Sequence, residues 1–398
     1  MATRRILASF FILTLLLAGG AAAQTPDGPA RLILPLSENN PNLNDVAMDG
    51  VGNVTFLFTD LSLENGIFTE HAFTRRFGPD GTPLGNANRL SQSNVGSRGG
   101  SVAANQSGDY VVTWSRFNPG GTNHFLRWRS PRTGATFARS MKGLADVAID
   151  RNGNFVAIWT APTPQGTRVF GQRFRANGTT QGPEFNAATL KTGNHVSPSV
   201  AMNPNNGEFV VVWEVRDDEG LLEGIRGQRF GFFTGRQGSE FVVYTQPALS
   251  EPTFSFDVYS PQVARAANGS FVVAWRTIRD GVDVLAQRYN TGGVPLGGRI
   301  VIAEDAGIGD GIVRIAMAPN GRFVVSWDDR GTSPLWFRLF RPNGTPIGPV
   351  LVEPPFEAPY NGNGRVAFGR NDSFVLGWVN YNDEGPSNTI SFQLYDVP

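Results

Sequence analysis

The sequence predicts an all-β fold, a seven-bladed β-propeller, from three observations. A short apolar run that ends in tryptophan occurs six times along the chain. A marker alanine occurs seven times, at intervals of 45 to 63 residues. The last repeat stops early, whereas a strand-like segment at 30–38 stands unused before the first repeat.

The apolar run is typical of a buried strand. It reads FVVVW at 209–213, FVVAW at 271–275 and FVVSW at 323–327, and it is apolar on both faces. Both faces must therefore be covered, and four-stranded units packed face to face around an axis provide that cover. Periodic aromatic residues of this kind are usually core, so we interpret the tryptophans as core residues rather than as a platform for stacking sugars or bases.

Each repeat is expected to form four strands, a to d. A Val-Ala pair marks strand a, and a turn built on Asn-Gly or a relative leads into the apolar run, which is strand b. Gln-Arg-Phe marks strand c, and a glycine-containing turn precedes strand d. No apolar period of 3.6 residues occurs between the runs, so no helices are expected. The marker alanines are Ala47, Ala103, Ala148, Ala201, Ala264, Ala316 and Ala367.

The ends of the chain predict how the ring closes. The seventh repeat stops after strand c, and its fourth strand is expected from residues 30–38, ARLILPLSE. An N-terminal strand that completes the last blade closes the ring and hides two sheet edges at once.

The first residues have the pattern of a secretory signal. Arg4 and Arg5 precede an apolar stretch at 6–17, and Ala21 and Ala23 offer small side chains to a signal peptidase. The apolar stretch is shorter than the roughly 20 residues that a membrane span needs. We expect residues 1–23 to be a signal peptide, 24–398 to be one propeller domain without membrane insertion, and the protein to be secreted or periplasmic.

Charge and cysteine content narrow the choice of partners. Lys and Arg together number 34, as do Asp and Glu, so there is no basic excess of the kind that binds nucleic acid or anionic lipid. The chain has no cysteine, which excludes disulfides, so burial of a core must stabilise the fold. We expect a monomer that binds an extracellular glycan or protein.

The repeat pattern P-x-V-A, G-x-F-V-V-x-W, A-Q-R-F and G resembles that of a broad group of bacterial secreted β-propellers. The strand order is similar to that of the NHL and YVTN propellers. The resemblance covers nearly the whole of 24–398 and implies a bacterial exported propeller. It implies no particular activity, because members of such groups perform many functions.

Catalytic motifs are missing from the sequence. The three histidines fall in different repeats, and neither HExxH nor GxSxG occurs. This favours a non-enzymatic binding scaffold. A polysaccharide-acting enzyme, a glycosidase or a lyase, stays open as the alternative, because carboxylates are plentiful and the sequence does not select a pair at catalytic separation.

Acidic residues collect in the loops between strands b and c. In a propeller these loops share one face with the d-to-a connections, and function concentrates in such loops. The acids provide hard oxygen ligands that suit calcium, although Asp is also a common turn residue that keeps surfaces soluble. The candidate calcium ligands are Asp217, Asp218, Asp280, Asp328, Asp329 and Asp383.

A second candidate site lies where strand a begins. The residue before the valine of each strand a is expected to ring the mouth of the central channel. Ring closure sets Arg314, Arg365 and Asp45 side by side, either as a structural ion-pair network or as a site that grips a carboxylate, phosphate or sulfate. Asp146, on the same ring, and Tyr360, in a long d-to-a connection, complete the candidate ligand-binding residues. The full ring is Asp45, Ser101, Asp146, Ser199, Gln262, Arg314 and Arg365.

Overall fold

A computed structural model describes most of the chain. The described residues are 25–33, 41–64, 67–91, 95–189, 192–246, 260–277, 283–304, 312–328, 334–353, 360–369, 372–381 and 388–397. They form seven antiparallel sheets and contain no helix, hence none that could cross a membrane. The predicted seven-bladed β-propeller is confirmed.

The first four blades follow each other along the chain, and each has four strands in the order a to d. Blade 1 consists of β3 (Asn42–Met48), β4 (Val54–Glu64), β5 (Ile67–Phe77) and β6 (Asn88–Arg89). Blade 2 consists of β7 (Ser97–Ala104), β8 (Tyr110–Asn118), β9 (Gly121–Arg129) and β10 (Thr136–Met141). Blade 3 consists of β11 (Asp146–Ile149), β12 (Phe155–Thr163), β13 (Gly166–Phe174) and β14 (Phe185–Asn186). Blade 4 consists of β15 (Asn194–Met202), β16 (Phe209–Arg216), β17 (Leu222–Gly231) and β18 (Gly235–Thr245).

The last three blades complete the ring. Blade 5 consists of β19 (Gln262–Arg265), β20 (Phe271–Thr277), β21 (Asp283–Tyr289) and β22 (Ile300–Ala303). Blade 6 consists of β23 (Val313–Met317), β24 (Phe323–Trp327), β25 (Leu335–Phe340) and β26 (Pro346–Glu353). Blade 7 consists of β27 (Tyr360–Phe368), β28 (Ser373–Tyr381) and β29 (Thr389–Asp396), and the short N-terminal strands β1 (Thr25–Pro26) and β2 (Arg31–Leu32) lie on its outer side.

The seven strands a surround the central axis. Each contacts the strand a of the next blade, and β27 of blade 7 contacts β3 of blade 1, which closes the ring. The hydrophobic core lies between neighbouring blades, in a separate apolar cluster at each blade boundary. The tryptophans that end the apolar runs are all buried, so they are core residues and present no platform to solvent.

The Gln-Arg-Phe motif of strand c holds three neighbours at once. The amide of Gln172 donates to the carbonyl of Gly182, at the turn before strand d of its own blade, at 3.1 Å. The guanidinium of Arg173 donates to the carbonyl of Phe232 in the next blade at 2.9 Å. Phe174 stacks on Phe155, the first residue of the apolar run, with ring centroids 4.8 Å apart. Such a pair contributes about 0.5–1.5 kcal/mol beyond its buried area, so the motif fixes both the sheet and its junction with the next blade.

The N-terminal segment supplies the missing strand of blade 7, as predicted. β1 and β2 pair antiparallel with β29, and Ile33, which is fully buried, packs between blades 7 and 1. The pairing begins at Thr25, ahead of the predicted start at residue 30, and residues 34–38 lie outside the described residues. The pairing begins earlier than predicted because Gly28 takes the position that Gly182 has in the turn before strand d of blade 3. Gln393 donates to the carbonyl of Gly28 at 2.9 Å, as Gln172 donates to that of Gly182.

The turns between strands a and b need left-handed backbone. Gly153 in blade 3 has φ +84°, a conformation that glycine adopts without steric cost. In blade 7 the repeat has Asp372 in place of glycine, and this residue keeps the left-handed backbone with φ +56°. Short polar side chains are the ones that tolerate it, so the turn geometry survives the substitution.

Candidate functional site

A polar cavity of about 480 Å³ opens at the end of the central channel where the strands a begin. Because strand b ends and strand a begins on this side, it is the face of the b-to-c loops and the d-to-a connections. The structure brings all seven predicted ring residues together around the cavity: Asp45, Ser101, Asp146, Ser199, Gln262, Arg314 and Arg365. We call this space the mouth cavity.

Three of the ring residues tie one blade to the next. Asp45 accepts the backbone N–H of Val102 in blade 2 at 2.8 Å, and Asp146 accepts that of Val200 in blade 4 at 2.9 Å. The hydroxyl of Ser199 likewise accepts the backbone N–H of Val263 in blade 5, at 3.3 Å. Each tie joins a side chain at the start of one strand a to the valine of the neighbouring strand a. The position therefore favours side chains with an acceptor oxygen, which explains its Asp and Ser residues.

Arg365 is tied to the structure by its donors. Its Nε donates to the carbonyl of Asn44 in blade 1 at 2.6 Å, and its Nη1 donates to the carbonyls of Asn363 at 3.2 Å and Gly364 at 3.0 Å. The side chain is buried. Arg365 thus joins the last blade to the first, and its hydrogen bonds indicate a structural role.

Arg314 is held far more loosely. Within the described part of the chain its guanidinium makes one hydrogen bond, from Nη1 to the carbonyl of Val313 at 3.0 Å. An arginine has no acceptor and cannot receive the N–H of the next blade. The junction between blades 6 and 7 is made instead by Asp328, whose Oδ2 accepts the N–H of Gly364 at 2.8 Å. The inter-blade ties therefore give no reason for an arginine at this position.

The electrostatics of Arg314 are unfavourable. Burial in the mouth cavity and the charge of Arg365 together lower the pKa of its guanidinium to about 9, and Asp45 opposes the shift. A lowered pKa means that the positive charge is destabilised where it stands. An anion placed in the cavity would relieve this by charge neutralisation and hydrogen bonding.

The two carboxylates of the cavity are joined by one hydroxyl. Ser101 Oγ lies 3.0 Å from Asp45 Oδ2 and 2.8 Å from Asp146 Oδ1. Burial raises the pKa of Asp146 to about 6, and the charge of Asp45 contributes to the rise. Burial raises the pKa of Asp45 as well, against the N–H of Val102 and the charge of Arg365.

The candidate calcium ligands are not brought together in the described part of the chain. Asp217 accepts the N–H of Leu221 at 2.7 Å within its own loop in blade 4, next to the exposed Asp218. Asp328 is buried in blade 6, and both its oxygens accept backbone N–H groups, from Ile312 and Gly364. No cluster of three or more His, Asp or Glu side chains suited to a metal occurs among the described residues. Asp280, Asp329 and Asp383 lie outside them.

Tyr360 begins β27, where it pairs with Tyr381, and its side chain lies outside the described part of the structure. Sequence reasoning missed the ties made by Ser101 and Asp328. For Ser101, the signal in the sequence is that Asp or Ser recurs directly before the valine of strand a. No sequence signal pointed to Asp328 as a blade junction, because its partner Gly364 is known only from the packing.

The chain is similar to known proteins in its fold alone. No protein-family model and no curated protein sequence matches the chain. Among solved structures it is similar to a protein of unknown function from Dyadobacter fermentans, with a TM-score of 0.55 at 12% identity over 94% of this chain and 99% of that one. It is similar to the β-propeller domain of the Trilobed protease from Pyrococcus furiosus, with a TM-score of 0.52 at 9% identity over 88% and 94% of the two chains. It is also similar to the polysaccharide lyase Uly1, with a TM-score of 0.52 at 11% identity over 90% of each chain.

Proposed function

We propose that this protein is an exported, non-enzymatic scaffold that binds a glycan in the mouth cavity and on the loop face around it. The observation that carries the proposal is the mouth cavity itself, polar and about 480 Å³ in volume, at the end of a rigid ring. Small-ligand sites usually measure about 300–1,000 Å³ and carry a few fixed polar groups. The signal pattern at 1–23 supports export.

The polar groups favour a glycan over an extracellular protein. Hydroxyl, amide, carboxylate and guanidinium groups all line one small cavity, and a sugar presents hydrogen-bond donors and acceptors all around its ring. The cavity is concave, whereas a stable interface with a folded protein needs a surface of roughly 800 Å² per partner. An extracellular protein ligand is therefore the less favoured occupant.

A glycan array tests the proposal with two matched variants. Gln262→Trp fills the mouth cavity. The one hydrogen bond of the Gln262 side chain in the described structure goes to the carbonyl of the neighbouring Pro261, so no blade junction is lost. Gln106→Trp makes the same change at the opposite end of the channel. We expect the first variant to lose the glycan signal of the parent by at least tenfold, and the second to keep it.

Two results would contradict the proposal. Glycan binding that is unaffected by Gln262→Trp would show that the mouth cavity is not the site. If the parent protein degrades a bound polysaccharide, and this activity stays with the protein through purification, the protein is an enzyme instead. The likeness to a polysaccharide lyase makes this screen worthwhile, although at 11% identity that likeness extends to the fold alone.

A further inference from the structure

We propose that the mouth cavity selects an acidic sugar, whose carboxylate binds Arg314, and that a proton enters the Asp45–Ser101–Asp146 bridge when it binds. This inference rests on the proposed function and names the ligand class of the same site. Arg314 and Arg365 occupy equivalent positions in the repeat, but we assign ligand binding to Arg314 and a structural role to Arg365.

The two arginines of the cavity differ in how firmly they are held. Arg365 donates to three carbonyls, and its position is fixed by them. Arg314 lines the cavity and, in the described part of the chain, donates only to the carbonyl of its chain neighbour Val313. The remaining donors of its planar guanidinium suit the two oxygens of a carboxylate, which such a group binds in a bidentate way.

The bridge between Asp45 and Asp146 has room for one more proton. Ser101 carries one hydroxyl proton but contacts two carboxylate oxygens, at 3.0 and 2.8 Å. With both carboxylates ionised, one of these contacts joins two oxygens with no proton between them. With a proton on Asp146, the chain is complete: Asp146 donates to Ser101, and Ser101 donates to Asp45. Each carboxylate accepts two backbone N–H groups, so these bonds do not distinguish them. The charge stays on Asp45 because Arg365, whose Nε donates to the carbonyl of the adjacent Asn44, stabilises it there, whereas the charge of Asp45 opposes ionisation of Asp146.

The charge balance of the cavity links this proton to a bound anion. The charged groups around Asp146 are Asp45 on β3, Arg314 on β23 and Arg365 on β27, and Asp328 at the end of β24 adds its charge near Arg314. Three carboxylates and two guanidiniums leave a net charge of −1, and a proton on Asp146 brings it to zero, which reduces the repulsion that a bound anion meets. A bound anion and the proton therefore favour each other, because thermodynamic coupling between two ligands is reciprocal.

Calorimetric titration of the full chain with D-glucuronate tests the inference, with glucose as the neutral probe and glucose 6-sulfate as the anion of different shape. We expect glucuronate to bind at least tenfold more tightly than either of them. We also expect its affinity to fall about tenfold between pH 5.5 and pH 7.5. Repeating the titration in buffers of different ionisation enthalpy measures the proton uptake, expected to be a fraction of one proton per sugar at pH 7.

Three variants assign the effects to residues. Arg314→Gln should weaken glucuronate at least tenfold and leave glucose unchanged. Asp146→Asn, a neutral stand-in for the protonated carboxyl, should keep binding and abolish its pH dependence. Arg151→Gln, at the opposite end of the channel, is the matched arginine control and should behave as the parent.

The outcomes separate this inference from the proposed function. Glycan binding in the mouth cavity with equal affinity for glucose and glucuronate would overturn the carboxylate assignment and leave the scaffold function standing. Tighter binding of the sulfate would overturn it as well. A pH dependence that survives Asp146→Asn would overturn the proton linkage. The absence of any sugar ligand, on the array and in solution, would remove both proposals together.

Discussion

Arg365 and Arg314 occupy equivalent positions in adjacent blades. Truncating each to alanine compares an arginine held by three described hydrogen bonds with one held, among the described residues, by a single bond. Arg365→Ala removes three charged hydrogen bonds to carbonyls, one of them across the junction of blades 7 and 1. Hydrogen bonds of charged groups contribute about 1.5–3 kcal/mol each, but they are not additive, and breaking a buried charged network usually costs about 3–5 kcal/mol. We expect Arg365→Ala to lower the free energy of unfolding by that amount.

Arg314→Ala removes one hydrogen bond to a neighbouring carbonyl and a positive charge that stands near Arg365. The lost bond and the lost attraction to Asp45 destabilise, whereas the relieved repulsion from Arg365 and the relieved burial of a charge stabilise. Because these effects oppose each other, the net change should stay below about 1 kcal/mol. The two variants should therefore differ by at least about 2 kcal/mol.

Urea unfolding at pH 7, followed by tryptophan fluorescence, measures this difference, because the buried tryptophans report on the blade junctions. The comparison holds if the variants share the same dependence of free energy on urea. Equal destabilisation by the two substitutions would refute the division of roles. A loss of several kcal/mol in Arg314→Ala would show that this arginine is structural, and the anion site would lose its basis.

Three further predictions concern the closing strand, the core and the response to pH. Ile33→Ala should lower the free energy of unfolding by about 2–5 kcal/mol, because Ile33 is fully buried between blades 7 and 1. Urea unfolding measures this, and a change below about 1 kcal/mol would contradict closure of the ring by this segment. Trp378→Phe should lower the free energy of unfolding by about 1–2 kcal/mol more than Trp213→Phe, because only the first breaks a described indole hydrogen bond, to Asn380 at 2.8 Å. Equal thermal stability of the two variants would contradict this. The folded-state pKa of Asp146 is about 6, above the ordinary value of 3.8. The stability that its proton contributes is therefore complete below about pH 4 and is lost as the pH rises through about 6. Urea titrations across this range should show that loss in the parent and a flatter profile in Asp146→Asn.

The repeat architecture could be predicted from the sequence because its cause is local and periodic. A strand that is apolar on both faces, such as Phe209–Trp213, requires cover on both sides whatever the loops do. The extent of the closing strand was harder to predict. Its signal was present, since TPDG at 25–28 matches TPLG at 82–85 and TPIG at 345–348. Pro26, Pro83 and Pro346 each pair with an aromatic residue at or next to the end of strand c. A search for apolar strand residues overlooks this turn.

The ring at the channel mouth could also be predicted, because equivalent positions of a repeat reach equivalent places in space. The sequence alone determined that Arg314 and Arg365 lie near each other. The tertiary structure decided which of them is held, because the groups that hold Arg365 are backbone carbonyls, among them that of Asn44 at the far end of the chain. Backbone groups are the same in every residue, so a sequence carries no mark of where they meet a side chain, and only the packing of one blade against the next assigns the partners.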